Sequence, residues 1–268
     1  MNARRVAWLF GFALLGVGLW TRHPLGESAG DLLPALAAFP LYYWLTAPWQ
    51  WRREETSVNW TTLGVGIGVL VVGAGIDHTL VLAVGWVLVW RAWLQGELQP
   101  QAVAISWKPM VLLVCGFPWL GLEGQALGWW FRYSGAWGAG GLFELMGFSV
   151  ARDGTFLTVQ GLPLAVDAAC SGLHALQAML VAGTVLALMV LPGNRFWWGV
   201  AMLPLLAWAA NLLRIITLGV AGLTFGPEAA MGWFHAWGGW GVLMAMFILC
   251  SGVFKIMGRG APKNEGAA

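Results

Sequence analysis

Apolar residues run along most of this chain in stretches approaching the roughly 20 residues that cross a membrane's hydrocarbon core, with short polar clusters between them. The pattern predicts helices over about 6–20, 32–49, 63–76, 80–94, 109–122, 173–191, 196–225 and 234–257. The third and fourth are short, and read as one passage they would reduce eight spans to seven. Residues 123–171 form the longest stretch without a span. Its first part, GWWFRYSGAWGAGGLFELMGF, mixes aromatic rings with glycines and a few charges, and is expected to lie along the membrane interface. Asp153-Gly154 then sits between two β-prone runs, which predicts a hairpin. After it the chain re-enters the membrane through GLPLAVDAACSGLHALQAMLVAG.

The expected fold is therefore an all-α integral membrane protein in one polytopic domain, 1–268. A five-helix part covers 1–122, an extracytoplasmic segment with the hairpin covers 123–171, a three-helix part covers 172–257, and a tail covers 258–268. No internal repeat or separate soluble domain stands out. The N-terminal run has a basic start and a short apolar core but no clear small-x-small cleavage site, so it reads as a retained first helix.

Composition makes a soluble alternative untenable. The chain is 59% hydrophobic and 10% charged, whereas soluble domains carry about 25% charged residues to cover their exteriors. The 20 tryptophans suit membrane–water boundaries. A net charge of +2 gives no reason to expect a nucleic-acid partner. Three cysteines make neither a disulfide framework nor a CxxC metal site, and no metal or other cofactor is expected.

The basic residues orient the chain. Eight spans and a cytoplasmic N-terminus put Arg4, Arg5, Arg52, Arg53, Arg91, Lys108, Arg195, Lys255, Arg259 and Lys263 inside. Arg22, Arg132, Arg152 and Arg214 are then the four of the 14 Lys and Arg residues left outside, as the positive-inside bias requires. Both termini are expected in the cytoplasm of a prokaryotic cell membrane, with 123–171 on the extracytoplasmic face.

Few polar side chains lie in or beside the late spans. Cys170 stands at the outer mouth of the sixth, in Asp167-Ala-Ala-Cys170-Ser-Gly-Leu-His174. A helix beginning there would favour a thiolate through its free N–H groups and dipole; the plainer reading is a small core residue. Arg214 interrupts the apolar run WAANLLRIITLGVAG. An arginine at the bilayer centre costs at least about 2.5–3.5 kcal/mol, so it either faces a polar interior or snorkels to headgroups. Asn211 lies three residues earlier on the same helix face. His235 opens the eighth span at the same outer level. A thiol needs a base, which histidine supplies, and an arginine can stabilise the oxyanion formed when a carbonyl is attacked. Asp167 either caps the sixth helix or orients His235. His174, one turn beyond Cys170, is a second base candidate. Cys115 and Cys250, in apolar runs, read as packing residues, and the serine-hydrolase, zinc-protease and phosphate-loop motifs are absent.

Ala-Ala-Cys170-Ser-Gly-Leu, then Asn211-Leu-Leu-Arg214-Ile, then a late His235, with Arg152-Asp-Gly just before the cysteine, resembles the exosortase/archaeosortase family over roughly 120–256. The resemblance implies a membrane cysteine peptidase or transpeptidase. It would cleave exported proteins carrying a C-terminal sorting tail (motif, membrane helix, basic end) and pass them to an acceptor such as a lipid or polysaccharide. By position it makes Cys170 the nucleophile, Arg214 the essential arginine and His235 the essential histidine; Asn211, Asp167 and His174 remain the supporting or substrate-binding candidates that the residues themselves suggest. Many members carry His-Asp at the last motif, where this chain has His235-Ala236. A different class also fits an intramembrane charge: a transporter or lipid-binding protein in which Arg214 and His235 hold an anionic group. Against it, no paired broken helices or repeated halves are visible.

Overall fold

The computed structural model describes residues 3–20, 33–53, 58–117, 119–165, 172–229, 232 and 235–259. Over these residues the protein is mostly helical, with one small sheet. Helices within Thr79–Glu97, Arg195–Phe225 and Trp237–Gly258 are long and apolar enough to cross a membrane, and shorter apolar helices cover Arg5–Leu19, Trp60–Gly75 and Ala175–Val190. The chain divides into two compact units, with the boundary at Glu123/Gly124.

The first unit contains α1 (Ala3–Trp20), α2 (Leu33–Leu45), α3 (Trp60–Gly75), α4 (Thr79–Glu97), α5 (Pro100–Trp107) and α6 (Met110–Gly116). The short third and fourth segments are separate helices. Asp77, with φ +53°, turns the chain between them. Glycines let their backbones touch: a Cβ on Gly66 would lie 2.9 Å from the Val89 nitrogen, and one on Gly85 would lie 2.8 Å from the Leu70 nitrogen. Such small-residue contacts suit helix pairing in lipid, where burial of apolar surface supplies no drive.

The core of this unit is aromatic. Trp86, Trp90 and Trp93 recur along one face of α4 and pack with Phe12, Tyr42 and Phe117. Two indoles are anchored, Trp86 Nε1 donating to the Phe12 carbonyl (3.1 Å) and Trp90 Nε1 to the Tyr42 hydroxyl (3.2 Å). Tryptophan abundance thus has two sources. Trp8, Trp44, Trp60, Trp130, Trp198, Trp237 and Trp240 are exposed as a membrane boundary would require, whereas the α4 indoles build a core.

The fifth predicted helix departs from expectation. Instead of one element over 109–122, α6 ends at Gly116, and Phe117 adopts an extended conformation (φ −67°, ψ 145°). A residue before proline is driven out of the helical region, and Pro118 follows. A new helix, α7 (Trp119–Leu145), then runs for 27 residues. The aromatic and glycine-rich stretch expected along the interface is the body of this helix.

The second unit joins the α7 residues from Gly124 onward to β1 (Val150–Asp153), β2 (Phe156–Val159), β3 (Leu162–Ala165), α8 (Leu173–Val190), α9 (Arg195–Phe225), the single turn α10 (Pro227–Ala229) and α11 (His235–Gly258). The predicted hairpin forms as β1–β2, closed by the Asp153↔Phe156 pair, with Gly154 at φ +60°. A third strand extends it into an antiparallel β1-β2-β3 meander. Its second turn is Gln160-Gly161, with φ +52° and +80°, the left-handed pair of a type I′ turn. Leu157 and Val159 from the sheet, Ala136, Ala139 and Phe143 from α7, and Ile215 from α9 form one buried cluster. The sheet, α7 and α9 are thereby tied together, and the segment entering α8 departs from β3.

Candidate active site

Three helix positions converge in the second unit. α8 begins after Gly172, its N-cap, which holds a left-handed conformation (φ 77°, ψ 4°) and bears no side-chain cap bond. Asp167 and Cys170 lie outside the described residues. His174 occupies the first turn of α8.

Asn211 and Arg214 sit on α9. Asn211 is 1% exposed, and Gly172 packs directly on it: a Cβ on Gly172 would lie 2.6 Å from Asn211 Cγ and 2.9 Å from its Oδ1. On another side a Cβ on Gly135 of α7 would lie 3.6 Å from Asn211 Nδ2. Arg214 is half-buried, and its guanidinium lies against α11. A Cβ on Gly239 would lie 3.4 Å from Arg214 Nε and 3.6 Å from its Cζ. Gly239 is one helical turn beyond His235, the first residue of α11. The start of α8, the Asn211–Arg214 face of α9 and the start of α11 therefore meet at one level. Arg214 stands about 29 Å along α9 from its first residue, at 1.5 Å per residue.

The polar groups here are conspicuous for what they lack. Both amide atoms of Asn211, and Nε of Arg214, are buried without a hydrogen-bond partner among the described residues. A buried unsatisfied group costs about 1–3 kcal/mol, and more when charged. Among the described residues Asn211 makes no hydrogen bond to the guanidinium.

Sequence reasoning overlooked Gly172, Gly239 and Gly135, whose missing side chains permit these contacts. It also overlooked Ser134, whose hydroxyl accepts from Trp208 Nε1 at 2.9 Å and pins α7 to α9. Cys115 and Cys250 are buried, as packing residues should be. Among the described residues no group of three or more His, Cys, Asp and Glu is placed to hold a metal.

The family model described as transmembrane exosortase matches residues 20–252, most of the chain. The chain belongs to the transmembrane exosortase family. No curated protein and no solved structure matches it. Membership carries, at the level of the family, a cysteine transpeptidase embedded in a membrane, which agrees with the apolar helices described above. In this exosortase α9, which bears Arg214, and α11, which begins at His235, are in contact near the start of α8.

Proposed function

We propose that the protein cleaves C-terminal sorting tails from exported proteins at the outer face of the cell membrane and transfers them to an acceptor. The observation that carries this reading is the meeting of Gly172, Asn211, Arg214 and Gly239, two residues after Cys170 and one turn after His235. Family membership favours it over a transporter, because a transpeptidase needs this assembly of thiol, base and cation.

In the proposed mechanism the Cys170 thiolate attacks a substrate carbonyl after His235 has taken the thiol proton. Negative charge moves onto the carbonyl oxygen, where Arg214 stabilises it. Collapse of the tetrahedral species breaks the peptide bond, and His235 returns the proton to the departing amine. A thioester on Cys170 remains. An amine or hydroxyl, of lipid or polysaccharide origin, or water then displaces the thiolate. Asp167 orients His235, and His174 is the alternative base.

The proposed topology has eight passages: α1, α2, α3, α4, the chain from α6 into the start of α7, α8, α9 and α11. Both termini are cytoplasmic, and the sheet and the start of α8 are outside. Arg5 and Arg52, which meet at the Glu97 end of α4, then share the inner side, consistent with the positive-inside bias. A tail anchored by a basic cytoplasmic end would present its motif level with Cys170.

Co-expression with a tagged protein carrying a sorting tail from the same genome tests the proposal. Wild type should shorten the tagged protein, and Cys170→Ala should abolish the size shift while its own membrane abundance holds. Full processing by Cys170→Ala would remove Cys170 from the mechanism.

A further inference from the structure

We infer that Gly172 is a positioning residue, whose bare α-carbon, packed flush on Asn211, sets how closely the start of α8 approaches Arg214. The inference rests on the reading of Cys170 as nucleophile and adds the device that places it.

The contact leaves no slack. Gly172 adopts φ 77°, a left-handed conformation that most side chains resist. Any Cβ there would lie 2.6 Å from Cγ, 2.9 Å from Cβ and 2.9 Å from Oδ1 of Asn211. Asn211 has little room to yield. It is 1% exposed, and two of the three atoms struck, Cγ and Cβ, lie at the root of its side chain and not at a flexible end. The remaining relief is for the start of α8 to move away from α9.

That movement bears on the chemistry because the contacts form one line. Gly172 abuts Asn211, Arg214 follows one turn later on the same helix, and its guanidinium rests on α11 at Gly239. Cys170 is two residues from Gly172 along the chain, so a shift at the start of α8 bears directly on the proposed nucleophile. A displacement of about 1 Å in a reacting group can cost on the order of 100-fold in rate. Gly172 is needed for two separable reasons, its backbone conformation and its missing Cβ. Asparagine separates them, since it tolerates the left-handed region but carries a Cβ.

The test uses full-length protein in native membranes. Site-specific alkylation of Cys170 by iodoacetamide is followed by peptide mapping, alongside tail processing. In wild type, Arg214→Met should change the Cys170 alkylation rate at neutral pH, and that factor reports how closely the thiol and guanidinium are coupled. With Gly172→Asn the factor should fall towards unity, and processing should drop by about 100-fold with no change in abundance or unfolding midpoint. Adding Asn211→Ala to Gly172→Asn should restore the Arg214-dependent factor, because the obstruction is gone. Asn211→Gln presses on the same contact from the other side and should reproduce the uncoupling; it replaces Gly172→Asn if that variant fails to accumulate.

A Gly172→Asn enzyme that processes tails within about threefold of wild type, with its Arg214 dependence intact, overturns the inference and leaves the proposed function standing. Uncoupling that Asn211→Ala does not relieve also overturns it, since Asn211 would not be the obstacle. If Arg214→Met leaves Cys170 alkylation unchanged in wild type, the proposed site itself fails, and the inference falls with it.

Discussion

Two arginines, one in each unit of the molecule, have contrasting surroundings: Arg5 is buried and Arg214 is half-buried. Arg5, in the first unit, is fully engaged. Its Nε donates to Glu97 Oε2 at 2.7 Å, its Nη2 donates to the Arg52 carbonyl at 2.8 Å, and its guanidinium lies 5.1 Å from the Trp51 ring centroid. Arg52 extends the knot by donating through Nε to the Leu98 carbonyl at 2.7 Å. Trp51 pairs with Leu98, completing a joint between the start of α1, the chain after α2 and the end of α4. In the second unit, among the described residues, Arg214 keeps a buried Nε without a partner, and its neighbour Asn211 keeps two such atoms. A buried charge costs several kcal/mol unless it is paired and hydrogen-bonded. The first arrangement meets that condition and holds the fold together. The second leaves donors and an acceptor without a partner among the described residues, at the start of α8 and beside α11.

Variants can break that contrast, beginning with the largest expected effect. Glu97→Ala strands Arg5 and should cost about 3–5 kcal/mol of stability, measured by unfolding in detergent. The protein that remains folded should process tails at the wild-type rate per molecule. A loss of intrinsic rate would mean that the knot is part of the chemistry after all. Arg214→Lys should do the reverse. If the planar guanidinium is what stabilises the oxyanion, processing should fall by about 10²–10³, roughly 2.7–4 kcal/mol, with the unfolding curve unmoved. Retained activity would show that a point charge suffices. The smallest effect sharpens the comparison. Arg5→Met combined with Glu97→Leu removes both charges at once and should leave stability within about 1 kcal/mol of wild type or above it, because no charge is left unpaired.

The helices were largely readable along the chain. Those predicted over 173–191 and 196–225 appear as Leu173–Val190 and Arg195–Phe225, because apolar stretches bounded by polar clusters report directly on lipid-facing or buried helix. The hairpin was readable from Asp153-Gly154. Its third strand was not, since Leu162–Ala165 looks like the start of an apolar membrane entry and becomes a strand by pairing with β2. The break before α7 carried a local signal in Pro118, which apolar averaging over 109–122 concealed. At the site, Cys170, Asn211, Arg214 and His235 stood out because polar residues are scarce in those spans. Gly172 and Gly239 did not stand out among 38 glycines, since a glycine's reason lies in what its absent side chain would strike.

Sequence alone therefore determined the membrane class, most helix positions and the residue types available for chemistry. Hydropathy and proline geometry act locally, residue by residue, and need no partner to be read. Tertiary structure alone decided which polar groups are satisfied and which are not. Glu97 answers Arg5 from 92 positions away, and among the described residues no hydrogen-bonding group answers the Asn211 amide. It also decided that the starts of α8 and α11 close on one face of α9. Those outcomes depend on interatomic distances between segments remote in the chain, which only the packed fold establishes.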